Sequence, residues 1–392
     1  MNQRAWVEVD LGQLRQNLRN LAELTRPAQV CAVVKSEAYG HGMVPVALAL
    51  QDEDIWGVAV VTPKEGVVLR EAGFRKPILV VGASFPEEMT EAIEHGVTLA
   101  VYDVEQAREI SKAAEACGRT ATVHLKVDSG LSRLAVTSDQ ISDYFKHIRA
   151  LDGLDIEGVY SHLADAEGLD QTYTLGQYRN FVNCLEALEE EGFKPNLRHI
   201  GASAAAMLLE HSRLDLVRVG ISLYGYWPSP ETKILHYGAT NDLSKRLQDE
   251  FLDRETPFIK PLFRPVLSYK CSVIQTKWLP ERVKVGYGCT YETQRRTRIA
   301  VLPVGYAEGY DRHLSNCGEV LIRGRRARVL GRVCMNLTVV DITDIPEVER
   351  GDEVTLWGGK LPVEEVAAKI GTINYEVVTR IPITVPRYYL EG

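Results

Sequence analysis

Eight short apolar runs rich in β-branched residues recur between residues 30 and 219, at 30–34, 55–61, 78–81, 98–102, 121–127, 156–161, 197–200 and 216–219. Each is continuous rather than alternating, the pattern of a strand buried on both faces in a parallel sheet. Stretches with helical spacing separate them, at 63–72, 86–95, 104–116, 140–150 and 175–190. Eight such strand–helix units make a (β/α)8 barrel the expected fold. A doubly wound open sheet is the competing arrangement, and the chain has no GxGxxG turn to support it.

A barrel of this kind gathers the residues that end its strands on one rim, where barrel enzymes put their chemistry. Lys35 ends the first run and opens KSEAYGHG (35–42). At the mouth of a packed strand, partial desolvation lowers a lysine's pKa and frees its lone pair for a Schiff base. The fifth run carries Lys126 and leads into DSGLSR with Arg133; the sixth ends in Ser161 and His162. The seventh leads to Ser203, which opens the helical AAAMLLE, and the eighth carries Arg218, then Gly220 and Ile221. Each residue alone has an ordinary use: a satisfied core histidine, a helix N-cap, an ion-pair partner. Together on one rim they point to a site. Ser203 at a helix start and Gly220 on the next loop suit a phosphate. A reactive lysine on strand one and a phosphate cradle across the barrel describe a pyridoxal-phosphate pocket.

Composition excludes other classes. The net charge is −8 with mixed signs, so there is no basic stripe for nucleic acid or for a membrane surface. No apolar run is long enough to span a bilayer, and MNQRAWVEVD has no signal-peptide pattern. Seven cysteines are scattered, never as CxxC, which argues for reduced thiols in a cytoplasm and against a metal site.

The pattern changes after the eighth run. The expected division is a barrel over 1–230, a charged linker or insertion over 231–262 with weak helical character at 242–252, and a mostly-β C-terminal domain over 263–392. Strands are expected there at 266–276, 297–303, 319–322, 327–333, 338–342, 353–356 and 381–388, with one helix at 362–370. VKVGYGCTY (283–291) sets Tyr287 between two glycines. Such a string serves as a hairpin turn or as a loop that delivers a hydroxyl into a cleft.

KSEAYGHG, VDSGLSR, SHLA, VRVGISLYG, GYGCTY, VGYAEGY, GRVCMN and NYEVVTRI occur in that order over almost the whole chain. As a set they resemble the alanine racemase family, the fold type III pyridoxal-phosphate enzymes. The resemblance implies a head-to-tail homodimer whose active sites are built by both subunits. It makes Lys35 the Schiff-base lysine and one racemising base, and Tyr287 of the partner chain the opposite base. Tyr39, Ser203, Gly220, Ile221 and Tyr375 would hold the phosphate, Arg218 would contact the pyridine nitrogen, and His162 would lie by the ring. Arg133 would touch the region of the substrate carboxylate. Lys126 holds a position often carbamylated in relatives. Tyr306, Tyr310 and Met335 would line the substrate entrance, and Asn336, a substrate-binding candidate, stands near where a substrate carboxylate would sit.

The chemistry agrees with these roles. Two bases on opposite faces remove and return an α-proton more simply than one moving base. A guanidinium only donates hydrogen bonds, so Arg218 would leave the pyridine nitrogen unprotonated and discourage transamination. The implied activity is interconversion of L- and D-alanine for peptidoglycan. The alternatives are a serine or broad-specificity racemase of the same fold, a fold type III decarboxylase, and a cofactor-carrier protein with the same barrel. Ser36 and Glu37 after Lys35, Ala202 before Ser203, Asn336 after Met335, and the long 229–260 segment depart from the family pattern. They bear on substrate breadth more than on reaction type.

Overall fold

A computed structural model describes residues 4–238 and 262–391. The helical expectation at 242–252 lies outside the described residues. By its contacts the chain divides into two units, Arg15–Lys35 with Val44–Arg264, and Met1–Leu14 with Ser36–Met43 and Pro265–Gly392.

All eight expected runs of the first unit are parallel strands: Gln29–Val33, Gly57–Val60, Ile78–Val80, Thr98–Val101, Ala121–Asp128, Leu154–Tyr160, Leu197–His199 and Leu216–Val219. Their order around the sheet is sequential, and strand eight pairs in parallel with strand one, Val217 opposite Val30. Strands seven and eight are tied by Asp215 N–H to the Arg198 carbonyl at 3.2 Å and Arg218 N–H to the Gly201 carbonyl at 3.0 Å, so the barrel is nearly closed. Helices fill the intervals, among them Pro63–Glu71, Pro86–Glu94, Val104–Cys117, Ile141–Arg149 and Thr172–Glu190. Start signals are local: Thr62 and Glu65 form a reciprocal capping box, with Pro63 at the first helical position.

The second unit is mostly β. Its six-stranded sheet runs in the order Arg325–Arg328, Glu319–Ile322, Glu353–Trp357, Leu267–Ser272, Ala5–Asp10, Arg387–Leu390. Ala5–Asp10 is therefore a strand of this unit rather than part of a barrel domain beginning at residue 1. Its alternation of buried and half-buried residues is the period-2 signature of a one-sided strand. The run expected as one strand at 266–276 divides between two sheets. Val273 N–H reaches the Asp352 carbonyl and Ile274 N–H the Val301 carbonyl, and a three-stranded sheet of Gln275–Leu279, Thr297–Leu302 and Thr338–Asp341 follows. The strand expected at 381–388 is confined to its end, because two prolines interrupt it and cannot donate to a ladder. The strand expected over 327–333 lies at Arg325–Arg328, and beyond it Val329 makes an isolated antiparallel bridge to Val340 before the positive φ of Gly331. A short helix, Asn374–Thr379, has no strong sequence signal, since its valines suit a strand equally well.

Candidate active site

The barrel rim gathers Lys35, Lys126, Arg133, His162, Ser203, Arg218, Gly220 and Ile221 in one unit. Burial, then Arg133, pulls the Lys35 ammonium below its usual pKa, while Glu65 pulls the other way. Lys126 is brought down to about 8, first by burial, then by Arg218 and Arg133. Its ammonium lies 5.3 Å from the ring centroid of Tyr160, and the Arg218 guanidinium lies 5.2 Å from the same ring. Burial and then Arg218 hold His162 down at about 3, so it is a neutral imidazole. Mutual repulsion among these cations prepares the rim for an anion.

Arg218 is buried, and both of its terminal nitrogens are hydrogen-bonded. One terminal nitrogen donates to His199 Nδ1 at 2.6 Å; the other donates to the Ser161 carbonyl at 2.7 Å, the Ile200 carbonyl at 3.2 Å and His162 Nδ1 at 3.1 Å. Because a guanidinium cannot accept, His199 must carry its proton on Nε2, which donates to His124 Nδ1 at 2.9 Å. His124 Nε2 then donates to the Glu157 carboxylate at 2.9 Å. Tyr160 stacks on His199 with centroids 4.9 Å apart. This buried chain escaped the sequence reading. Histidines on continuous apolar strands, at VHLKVD and LRHI, were its only signal.

Ser203 Oγ accepts the Gly220 N–H at 3.0 Å, which brings the starts of the helix Ser203–Leu208 and the 3-10 turn Ile221–Tyr224 to adjacent loops. Ser222 keeps a buried hydroxyl with no hydrogen-bond partner among the described residues. Arg133 is exposed on a loop shaped by Asp128, whose carboxylate accepts the Gly130 and Ser132 N–H groups.

The second unit holds the remaining residues in two places. Tyr39 and Tyr375 pack with ring centroids 6.2 Å apart, and burial pushes the Tyr39 phenol up to about 12. Ser36, Glu37, Ala38 and Tyr39 all have φ between 51° and 55°, a left-handed helical turn. That conformation costs non-glycine residues roughly 1–2 kcal/mol each, and such strain persists only where surrounding structure enforces it.

Tyr287, Tyr306, Met335 and Asn336 share an open pocket of about 540 Å³ with Arg312. Tyr287 is 74% exposed at the tip of a loop whose base is anchored by Val285, packed with Ile299 and Leu330. Asn336 Nδ2 donates to Glu308 at 2.7 Å, and Gly305 permits the close approach of the Cys334–Met335 backbone, since a Cβ there would meet the Cys334 carbonyl oxygen at 2.1 Å. Tyr310 departs from the expected entrance lining: its side chain is fully buried and stacked on Trp357.

Residues 9–228 match the model of the alanine racemase N-terminal domain, and residues 266–389 match that of the alanine racemase C-terminal domain. The chain belongs to the alanine racemase family. An alanine racemase of Desulforamulus reducens is 41% identical over 393 residues, 100% of each chain, and one of Methanococcus maripaludis is 39% identical over 98% of each. Among solved structures, the alanine racemase of Clostridium difficile 630 superposes with a TM-score of 0.88 at 33% identity, covering 99% of this chain and 96% of that one. The family's cofactor is pyridoxal phosphate, and the rim fits it. A lysine with a depressed pKa can bind the aldehyde carbon. The Ser203–Gly220 loops and the unpartnered Ser222 hydroxyl offer donors to a phosphate, and Arg218 offers only donors to a ring nitrogen.

Proposed function

We propose that the protein interconverts L- and D-alanine with pyridoxal phosphate bound through Lys35, as a homodimer in the cytoplasm supplying D-alanine for peptidoglycan. The observation that carries this reading is the rim itself, a partly desolvated Lys35 among Lys126, Arg133 and Arg218. The cationic surroundings attract a phosphate and a carboxylate, and with burial they shift Lys35 toward its free amine. The bound cofactor supplies the electron sink that acidifies the substrate's α-hydrogen. Lys35 takes or returns that proton on one face, and the partner subunit's Tyr287 does so on the other. Ser203, Gly220, Ile221, Tyr39 and Tyr375 hold the phosphate. Arg218 keeps the ring nitrogen unprotonated, with neutral His162 beside it, while Arg133 orients the carboxylate. Tyr306, Met335 and Asn336 admit the substrate.

Lys126 is the carbamylation candidate. With a pKa of about 8 it is mainly an ammonium at neutral pH but keeps a larger free-amine fraction than an ordinary lysine, and a carbamate would replace a repelled cation by an anion facing Arg133. Intact-protein mass spectrometry in bicarbonate should show the adduct in the wild type and lose it in Lys126→Ala; the same adduct in both would place it elsewhere. The activity itself is tested by chiral chromatography of a panel of L-amino acids incubated with the purified holoenzyme. Alanine should racemise fastest. Faster turnover of serine would favour the broader racemase, and no racemisation of any substrate would defeat the proposal.

A further inference from the structure

The left-handed turn at 36–39 is held from several sides. Gly42 N–H donates to the Glu37 carbonyl at 2.7 Å, and the Glu37 carboxylate accepts the Met43 N–H at 3.2 Å. His41 Nδ1 lies 2.8 Å from the Ala38 carbonyl and 3.0 Å from that of Tyr39; burial keeps this imidazole neutral, with a pKa near 4, so its Nδ1 proton closes the turn. The outer clamp is one side chain from the far end of the chain. Arg387 Nε donates to the Gly40 carbonyl at 2.9 Å. Its terminal nitrogens donate to the carbonyls of Pro382 at 3.1 Å, Val385 at 2.7 Å and Ile381 at 3.1 Å. Gly40 makes room for a close neighbour, since a Cβ there would lie 2.3 Å from the Val378 carbonyl oxygen.

A guanidinium offers a rigid fork of donors, and four carbonyls in two segments match it in a way that a single ammonium cannot. Arg387 thus ties the segment following Lys35 to the loop before the last strand. We propose that Arg387 is a positioning residue for Lys35, holding the left-handed turn so that the lysine leaves its strand in the reactive direction. This rests on the reading of Lys35 as the cofactor lysine. Arg387 needs to touch neither cofactor nor substrate, because its effect passes along the backbone from Gly40.

The test compares holoenzymes carrying Arg387→Met, which keeps bulk and loses every donor, and Arg387→Lys. Hydrogen exchange by mass spectrometry should accelerate by about tenfold or more in the peptide covering 36–43 of Arg387→Met, with the barrel strand at 121–128 unchanged. The turnover number should fall by about tenfold or more, the scale of a small misplacement of a reacting group, while KM for alanine moves less than about threefold. In Arg387→Ala, which leaves the space that Met fills, free guanidinium ion should restore part of the turnover. Arg387→Lys should fall between the two and remains informative if the Met variant does not fold. Unchanged exchange at 36–43, acceleration spread equally over the barrel strands, no guanidinium rescue, or wild-type turnover in Arg387→Lys would each overturn the proposal. Borohydride labelling separates the two claims: wild-type label on a lysine other than Lys35 sinks the cofactor assignment and leaves the exchange result standing.

Discussion

Tyr287 and Lys35 come from different units of the chain and meet the solvent differently, one on an exposed loop tip and one in a crowded cationic rim. If they serve opposite faces, Tyr287→Phe should still exchange the α-hydrogen of one alanine enantiomer with deuterated water. Exchange of the other should fall by roughly 10²–10⁴-fold, the usual worth of a general base. Equal loss for both would point to a single base. A second residue-scale prediction concerns acid stability. His41 has a folded pKa of about 4 against an ordinary 6.5, so the unfolded chain binds its proton first as pH falls. The stabilisation is complete above pH 6.5 and is lost as pH falls toward 4, about 3 kcal/mol from this group alone. Urea unfolding followed above about pH 5, where most carboxylates stay ionised, should show stability dropping with acid and a shallower slope in His41→Asn. Identical slopes would remove His41 from the account.

At the scale of elements, the least expected is Ala5–Asp10, which lies between Leu267–Ser272 and Arg387–Leu390 with Val7 and Val9 fully buried. Deleting the first ten residues removes an interior strand, next to the edge of the sheet, and each buried valine is worth about 1.5–3 kcal/mol. Thermal unfolding should show the C-terminal unit destabilised well beyond a single-residue effect; an unshifted transition would contradict the pairing. The barrel strands were legible because burial on both faces writes an unbroken apolar run, and the rim residues followed from where those runs stop. Other features were written in weaker terms. WVEVD alternates plainly, but sequence order alone does not assign it to a sheet more than two hundred residues away. The handover at Val273 and Ile274 carries no punctuation, since both residues suit either sheet. The left-handed turn was hidden because Ser, Glu, Ala and Tyr do not favour that conformation; a long-range bond from Arg387 to Gly40 and local bonds from His41 hold it. The chain from Arg218 through His199 and His124 to Glu157 joins residues from four strands, a juxtaposition that only barrel closure creates.

For the whole molecule, the proposed dimer makes a quantitative statement. Inactive Lys35→Ala and inactive Tyr287→Phe chains, mixed equally, refolded together and allowed to pair at random, should recover about a quarter of wild-type activity, because half the dimers are hybrids with one intact site. Absence of recovery despite demonstrated hybrid formation would place both residues in the site of one chain. The most direct test of the central claim, that this barrel uses Lys35 as its cofactor lysine, is borohydride reduction of the holoenzyme followed by peptide mapping. The account predicts a reduced cofactor on the peptide containing Lys35, with the visible absorption lost in step and no label in Lys35→Ala. A label on Lys126 or any other lysine would contradict it.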